Sequence, residues 1–346
     1  MPEAVEGRDA VDLLERTRDA VDPGLRAAVD SLPGPLRRVA RYHFGWERAD
    51  GTPDTGAEGK AIRPALVLAA AGALGGGGEP VGAALRAAAA VELVHNFTLL
   101  HDDVIDDDPV RRHRPTAWTV FGTADAIITG DALHALALRL LAEDHHPAAA
   151  PAAERLGACV IELCAGQQTD CALESRPPDE VSLGECLAMA TAKTGALLGC
   201  ACALGALYAG AGPEETGALD AFGREAGLAF QFIDDLIGIW GDPGRTGKPA
   251  GADLAARKKS LPVVAALTSG TDAGAELAEL YRGPMTGAAV RLAADAVERA
   301  GGRDWAQLQA ADRMARAVQE LSRAVPDLTA AGDLLALAEF VTRRTH

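Results

Sequence analysis

The sequence predicts an all-α protein, and three observations carry that prediction. Of its 346 residues 48% are apolar but only 4% are aromatic, so the core is built from small and branched aliphatic side chains rather than rings. Long stretches rich in Ala and Leu lack the alternating, β-branched pattern of strands. Breaks fall where Gly and Pro gather.

Taken in order, residues 1–20 show no readable pattern and are set apart as an N-terminal extension, with residues 21–346 expected to form one domain. Val81 to Asp106 reads as a long helix that follows Gly75-Gly76-Gly77-Gly78-Glu79-Pro80 and ends in acidic residues. Ala152 to Leu173, Ser182 to Tyr208 and Glu214 to Trp240 read the same way. They are bounded by His146-Pro147, Arg176-Pro177-Pro178 and the Gly241 to Gly251 stretch. Ser182 with Glu185 three residues on suggests a capping box, and Asp272 is expected to cap a later helix. Residues 267–346 carry no motif and are expected to complete the helical shell. No internal repeat is present, and the total is roughly a dozen helices.

Composition narrows the function. A formal net charge of −16 offers nothing to nucleic acid or an anionic membrane, so any anionic substrate must meet local basic residues or metal. Six cysteines (Cys159, Cys164, Cys171, Cys186, Cys200, Cys202) form no C-x-x-C pair and read as small core residues of a reduced, cytoplasmic protein. Met1 to Gly7 is acidic, without the basic flank and apolar run of a signal peptide. Apolar runs such as Ala65 to Gly78 are broken by Gly, and no transmembrane segment is expected.

Two acidic clusters lie about 130 residues apart: His101-Asp102-Asp103-Val104-Ile105-Asp106-Asp107-Asp108 and Gln231-Phe232-Ile233-Asp234-Asp235-Leu236-Ile237-Gly238. Each ends a strongly apolar stretch. On a helix Asp102 and Asp106 share a face, with Asp103 roughly 100° around. Carboxylates at this density repel one another unless cations join them. Hard oxygen donors favour Mg²⁺, which takes its remaining ligands from water and substrate phosphates. Cations follow in the order a diphosphate site needs: Lys60 and Arg63, then Arg111-Arg112, Lys193-Thr194, Lys248, and Lys258-Lys259.

These motifs, in this order over about residues 55 to 265, resemble those of the trans-polyprenyl diphosphate synthases. The resemblance covers Gly59-Lys60 with Arg63-Pro64, the first Asp motif through Arg111-Arg112 to Pro115-Thr116, and Gly166-Gln167 with Asp170. It continues through Lys193-Thr194, Gln231 with Asp234-Asp235, Gly247-Lys248, Gly251 with Asp253-Leu254, and Lys258 with Leu261-Pro262. It implies an isoprenoid synthase fold around a central apolar cavity and a head-to-tail condensation of isopentenyl diphosphate with an allylic diphosphate (dimethylallyl, geranyl or farnesyl). Asp102, Asp103, Asp106, Asp234 and Asp235 would hold three Mg²⁺ ions. Arg111, Lys193 with Thr194, Gln231, Lys248 and Lys258 would meet the allylic diphosphate, and Lys60, Arg63, His95 and Arg112 isopentenyl diphosphate. Asp102, Asp103, Lys193 and Asp234 carry the catalytic expectation. Phe97 and Thr98, five and four residues before the first Asp, would floor the elongation cavity in a pattern resembling geranylgeranyl diphosphate producers. A homodimer is also implied.

Two positions depart from the family pattern. His113 stands where Gly is usual, and Gly238 replaces the third Asp of the second motif. The second departure opens a rival, because Asp234, Gly238 and Asp242 have the spacing of a class I terpene cyclase metal motif. Lys60, Arg63 and Arg112 discriminate, since a cyclase needs no isopentenyl site. A non-catalytic subunit is a third reading, opposed by the retention of the acidic residues and the cations.

Overall fold

Helices form in this Ala- and Leu-rich chain wherever Gly and Pro do not stop them. The structure, a computed structural model, describes residues 10–54, 59–75, 78–242, 244 and 250–342. The helices are α1 (Ala10–Asp30), α2 (Gly34–His43), α3 (Ile62–Gly75), α4 (Glu79–Ala83), α5 (Leu85–Ile105), α6 (Ala117–Phe121) and α7 (Thr123–Ala142). Then come α8 (Ala149–Ser175), α9 (Leu183–Ala190), α10 (Ala196–Tyr208) and α11 (Pro213–Trp240). Six more complete the described chain: α12 (Ala252–Ala255), α13 (Leu261–Leu267), α14 (Asp272–Arg282), α15 (Gly287–Arg299), α16 (Gly302–Ala324) and α17 (Gly332–Thr342). The one sheet among the described residues is a two-residue ribbon, β1 (Val110–Arg111) antiparallel to β2 (Arg114–Pro115).

Several boundaries differ from expectation for local reasons. The helix expected from Val81 begins at Glu79 and breaks at Ala84. Helix α1 runs across residue 20 and buries Leu13, Leu14 and Thr17, so residues 10–20 pack with the helical body instead of standing apart. The capping box forms as expected: Ser182 Oγ accepts from Glu185 N at 3.2 Å, and Glu185 Oε2 accepts from Ser182 N at 3.0 Å. Asp272 is not a cap; Thr271 is, its hydroxyl accepting from Gly274 N at 3.1 Å.

Contacts divide the chain into two units, each assembled from three stretches. The first comprises Met1–Val160, Cys200–Asp220 and Ser322–Leu337; the second comprises Ile161–Gly199, Ala221–Leu321 and Ala338–His346. In the first unit α5 is the central element, packing most extensively on α7 and also on α3 and α1. Its run Ala87 to Val91 is buried without interruption, as a helix apolar on all sides must be. Gly130 lets α7 approach it, because a Cβ there would lie 2.3 Å from His101 Nε2.

In the second unit Leu228, Phe232, Ile233 and Leu236 of α11 pack with Leu173, Val181, Cys186, Leu261 and Val264. The residue 267–346 region supplies helical shell as expected, Leu277, Tyr281, Ala293, Ala296 and Val297 packing on Ile239 and Val263. Cys159, Cys186, Cys200 and Cys202 are buried as expected, whereas Cys164 and Cys171 are exposed and are not core residues. One run among the described residues, Leu183–Tyr208, is long and apolar enough to cross a membrane by length and composition alone; 61% of its most apolar window is buried inside the protein, as in a core helix.

Candidate active site

In the first unit the apolar face of α5 gives way, over its last three turns, to polar residues. Asp103 is buried and accepts from Arg111 Nε at 2.5 Å, while Asp102 is half-buried. Asp106 caps the helix, exposed, its N–H donating to Asp102 O at 2.8 Å, so the helical turn persists through the whole motif. Burial pushes Asp103 above the usual carboxylate range, against the pull of Arg111.

Behind this motif lies a cationic cluster. Burial lowers Arg63, with Glu92 opposing and Arg112 adding repulsion. Burial also holds His95 well below an ordinary imidazole, and Arg63, Arg112 and Arg111 push the same way, so His95 is neutral. The Arg112 guanidinium lies against Gly59, where a Cβ would approach its Nη2 to 3.2 Å. Arg63, His95 and Arg112 are thus brought together, and Lys60 stands exposed in the segment leading into α3. Thr98 donates to His95 O at 2.8 Å. Phe97 stacks on His134 with centroids 5.3 Å apart at 27°.

Two members of this cluster were missed in the sequence. Glu92 is 9% exposed and accepts from Asn96 Nδ2 at 3.1 Å; two polar residues four apart inside an Ala/Val run were its only signal. His43 from α2 lines a cavity with Asp103, Arg111, Arg112 and Arg114, and its buried Nε2 has no hydrogen-bond partner within the protein. Nothing local in the sequence marked it.

In the second unit three helices touch backbone to backbone. A Cβ at Gly223 of α11 would meet Leu198 O at 2.4 Å, one at Gly227 would meet Gly195 Cα at 2.9 Å, and one at Gly166 of α8 would meet Lys193 N at 2.7 Å. Here α9 runs into α10 through a five-residue π segment, Thr191–Gly195, of the kind often found at functional sites. It carries Lys193, which donates to Asp170 Oδ2 at 2.6 Å, and Thr194, which donates to Gln231 Oε1 at 2.7 Å.

Gln231 in turn donates to Asp235 Oδ1 at 2.8 Å, and Leu261 N donates to Asp235 Oδ2 at 2.9 Å. Both oxygens of Asp235 therefore hold protein, pinning the start of α13. Burial pushes it up to about 6, with Lys258 opposing. Asp234 is the exposed carboxylate of the motif. Burial would lower Lys258, but Asp235, Asp253, Asp234 and Asp170 outweigh it and hold the ammonium protonated. Lys248, with Gly247, lies outside the described residues. Asp242 lies beyond the end of α11 and accepts from Gly244 N at 2.9 Å, so the cyclase spacing is not carried on one helical face.

Backbone strain gathers here as well. Among the described residues the non-glycines with positive φ are Ala61 (52°), Asp107 (52°), Arg112 (50°), His113 (61°) and Arg257 (54°). Each is within two residues of a predicted site residue, and strained backbone concentrates at functional sites. Arg112 and His113 form the two-residue turn between β1 and β2, where both central residues need positive φ. His113 therefore keeps the turn that a glycine would make.

The donors at both motifs are carboxylate oxygens with a cation beside them, Arg111 in one unit and Lys258 in the other, which suits a hard divalent ion. Among the described residues no three His, Cys, Asp or Glu side chains are gathered closely enough to hold an ion. Oxygens from a diphosphate would complete such a shell.

An all-α chain with two aspartate motifs set among Arg and Lys in this way has the isoprenoid synthase fold. The polyprenyl synthetase family model matches residues 54–298. A geranylgeranyl diphosphate synthase of Mycobacterium tuberculosis is 51% identical over 96% of this chain and 93% of its own length. A (2E,6E)-farnesyl diphosphate synthase of Mycobacterium bovis is 42% identical over 97% and 94%. A polyprenyl synthetase structure from Streptomyces coelicolor superposes with a TM-score of 0.90 at 45% identity, covering 96% of this chain and 99% of that one. A polyprenyl synthase from Caulobacter crescentus, complexed with calcium and isoprenyl diphosphate, gives 0.80 at 29% identity over 98% and 99%. The chain belongs to the polyprenyl synthetase family and is a prenyltransferase.

Proposed function

We propose that this prenyltransferase joins isopentenyl diphosphate head to tail to an allylic diphosphate, with Mg²⁺, and that its main product is geranylgeranyl diphosphate. The observation that carries the reading is the cluster of Arg63, His95 and Arg112. A second anionic substrate needs its own cations, and a cyclase consuming one diphosphate does not. Neutral His95 serves there as a hydrogen-bonding group, while Lys60 and the two arginines supply the charge.

Lys193, Lys258, Arg111 and, by its place in the sequence, Lys248 hold the allylic diphosphate, with Thr194 and Gln231 orienting Lys193. As the C–O bond breaks, charge grows on the leaving oxygen and preplaced ammonium and guanidinium groups stabilise it. Asp102, Asp103, Asp106 and Asp234 would hold the metal, three ions in this reading, which would supply positive charge against the diphosphate. Asp235 positions the start of α13. Apolar side chains keep water from the allylic cation so that the alkene captures it.

The 51% identity to a geranylgeranyl diphosphate synthase and the bulky Phe97 beside small Thr98 support that product over the shorter one named for the 42% relative. A cytoplasmic homodimer is part of the proposal, and light scattering of the purified protein tests its assembly. The deciding experiment incubates the protein with Mg²⁺ and farnesyl diphosphate, with and without isopentenyl diphosphate. Linear geranylgeranyl diphosphate formed only with both substrates is the expected result. A cyclic hydrocarbon from farnesyl diphosphate alone would reject elongation.

A further inference from the structure

The second acidic motif stops one carboxylate short, and the structure fills the gap from elsewhere in the chain. Asp234 and Gly238, four apart on α11, share a helical face. The space above Gly238 is taken: a Cβ there would lie 2.2 Å from Asp253 Oδ2, 2.5 Å from its Cγ and 3.0 Å from its Oδ1. A carboxylate thus stands where the side chain of a third motif Asp would begin. It arrives on α12, whose entry residue Gly251 has φ 75° and would bring a Cβ within 2.5 Å of Val290. Glycine is required at both ends of this contact, at 238 to admit the carboxylate and at 251 to turn the chain toward it.

A cation already answers to this group. Lys258 Nζ lies 3.8 Å from Asp253 Oδ2 and is surrounded electrostatically by Asp170, Asp234 and Asp235 as well. An ion pair of that length between partly exposed groups contributes little by itself. It gives no reason for Asp253 to occupy the face of α11 that carries Asp234.

We propose that Asp253 supplies, from the segment after α11, the carboxylate that the second motif lacks at Gly238, and so completes this side of the divalent-metal site. The inference rests on the metal-diphosphate reading above. It predicts that the carboxylate matters and its backbone of origin does not.

The test is an EPR titration of the full-length protein with Mn²⁺ in the presence of inorganic diphosphate, with thermal melts of each variant in chelator. Asp253→Asn is expected to weaken Mn²⁺ binding about tenfold or more, the usual scale for losing one group around a metal, with its melt near that of the parent. Gly238→Ala is expected to do the same, because its methyl group displaces the Asp253 carboxylate, the mobile end of a side chain. Gly238→Asp combined with Asp253→Ala, which clears the space above residue 238, restores the carboxylate from α11 and is expected to recover binding to within about threefold of the parent. Parent-like binding by Asp253→Asn, or a folded double variant binding no better than Asp253→Asn, would overturn the proposal while leaving the function intact. A parent protein that binds no Mn²⁺ with diphosphate would overturn both.

Discussion

At position 113 the chain places an imidazole in a turn that favours glycine. Left-handed φ costs a residue with a Cβ about 1–2 kcal/mol, and the greater unfolded freedom of glycine returns about half of that. His113→Gly is therefore expected to raise stability by about 0.5 kcal/mol in urea melts; a loss of stability would mean that the imidazole makes a contact worth more than the strain. His43 gives a second prediction. Burial first, then Arg112 and Arg111, push it down to about 3, while an unfolded imidazole titrates near 6.5. The fold thus binds fewer protons here than the unfolded chain, so this stability is whole above pH 6.5 and lost as pH falls toward 3. Between pH 6.5 and 5 the loss is about 2 kcal/mol, and His43→Gln should remove that part of the slope. An unchanged pH profile would mean that this imidazole does not control acid stability. Phe97 bears on product length: its ring is fixed by His134 and meets His101 edge-on at 5.1 Å. Phe97→Ala should lengthen the products seen by chromatography, and an unchanged distribution would remove Phe97 from the floor.

Elements show what local sequence can and cannot encode. The Ser182–Glu185 capping box was legible because both partners lie within one turn. The π segment after α9 was not, since Ser182 to Tyr208 reads as one uninterrupted helix. Its extra residue is set by Gly166 and Gly227, which press on Lys193 and Gly195 from α8 and α11. Those contacts bring together residues about 30 positions apart, beyond any periodicity. The seam also carries function, because Thr194 reaches Gln231 only if the backbones touch. Gly223→Ala would drive a methyl group into Leu198 O at 2.4 Å and the Gly199 backbone at 2.7 Å, where no flexible side chain can yield. Overpacking of this kind costs about 1–3 kcal/mol. The melting temperature should fall, and kcat should fall with it, as Thr194 shifts away from Gln231 and displaces the adjoining Lys193. A stable variant with full turnover would show that the seam does not position the site.

Across the whole molecule, the helices and the order of site residues were legible because each rests on a short pattern: breaks at Gly and Pro, acids four apart, cations just past them. The partition into two units drawn from interleaved stretches was not, nor were Glu92 and His43, nor the contact of the motif residue Asp253 with Gly238, since these partners come from distant segments. The charge balance was legible at once, and it gives the last prediction. A net charge of −16 is concentrated in part on two acidic motifs where Arg111 and Lys258 are the neighbouring cations. If those motifs take metal-bound diphosphate, Mg²⁺ and inorganic diphosphate together bind the folded chain and not the unfolded one. At a hundred times the dissociation constant such a ligand adds about 2.7 kcal/mol. The melting temperature should rise with both present, return on chelation, and rise far less with diphosphate in NaCl of equal ionic strength. Asp102→Asn and Asp234→Asn should each blunt the rise, because each removes an acceptor from one motif. If NaCl reproduced the full effect, the gain would be general screening of a highly charged surface, and the carboxylates would be solvated charges rather than a metal site.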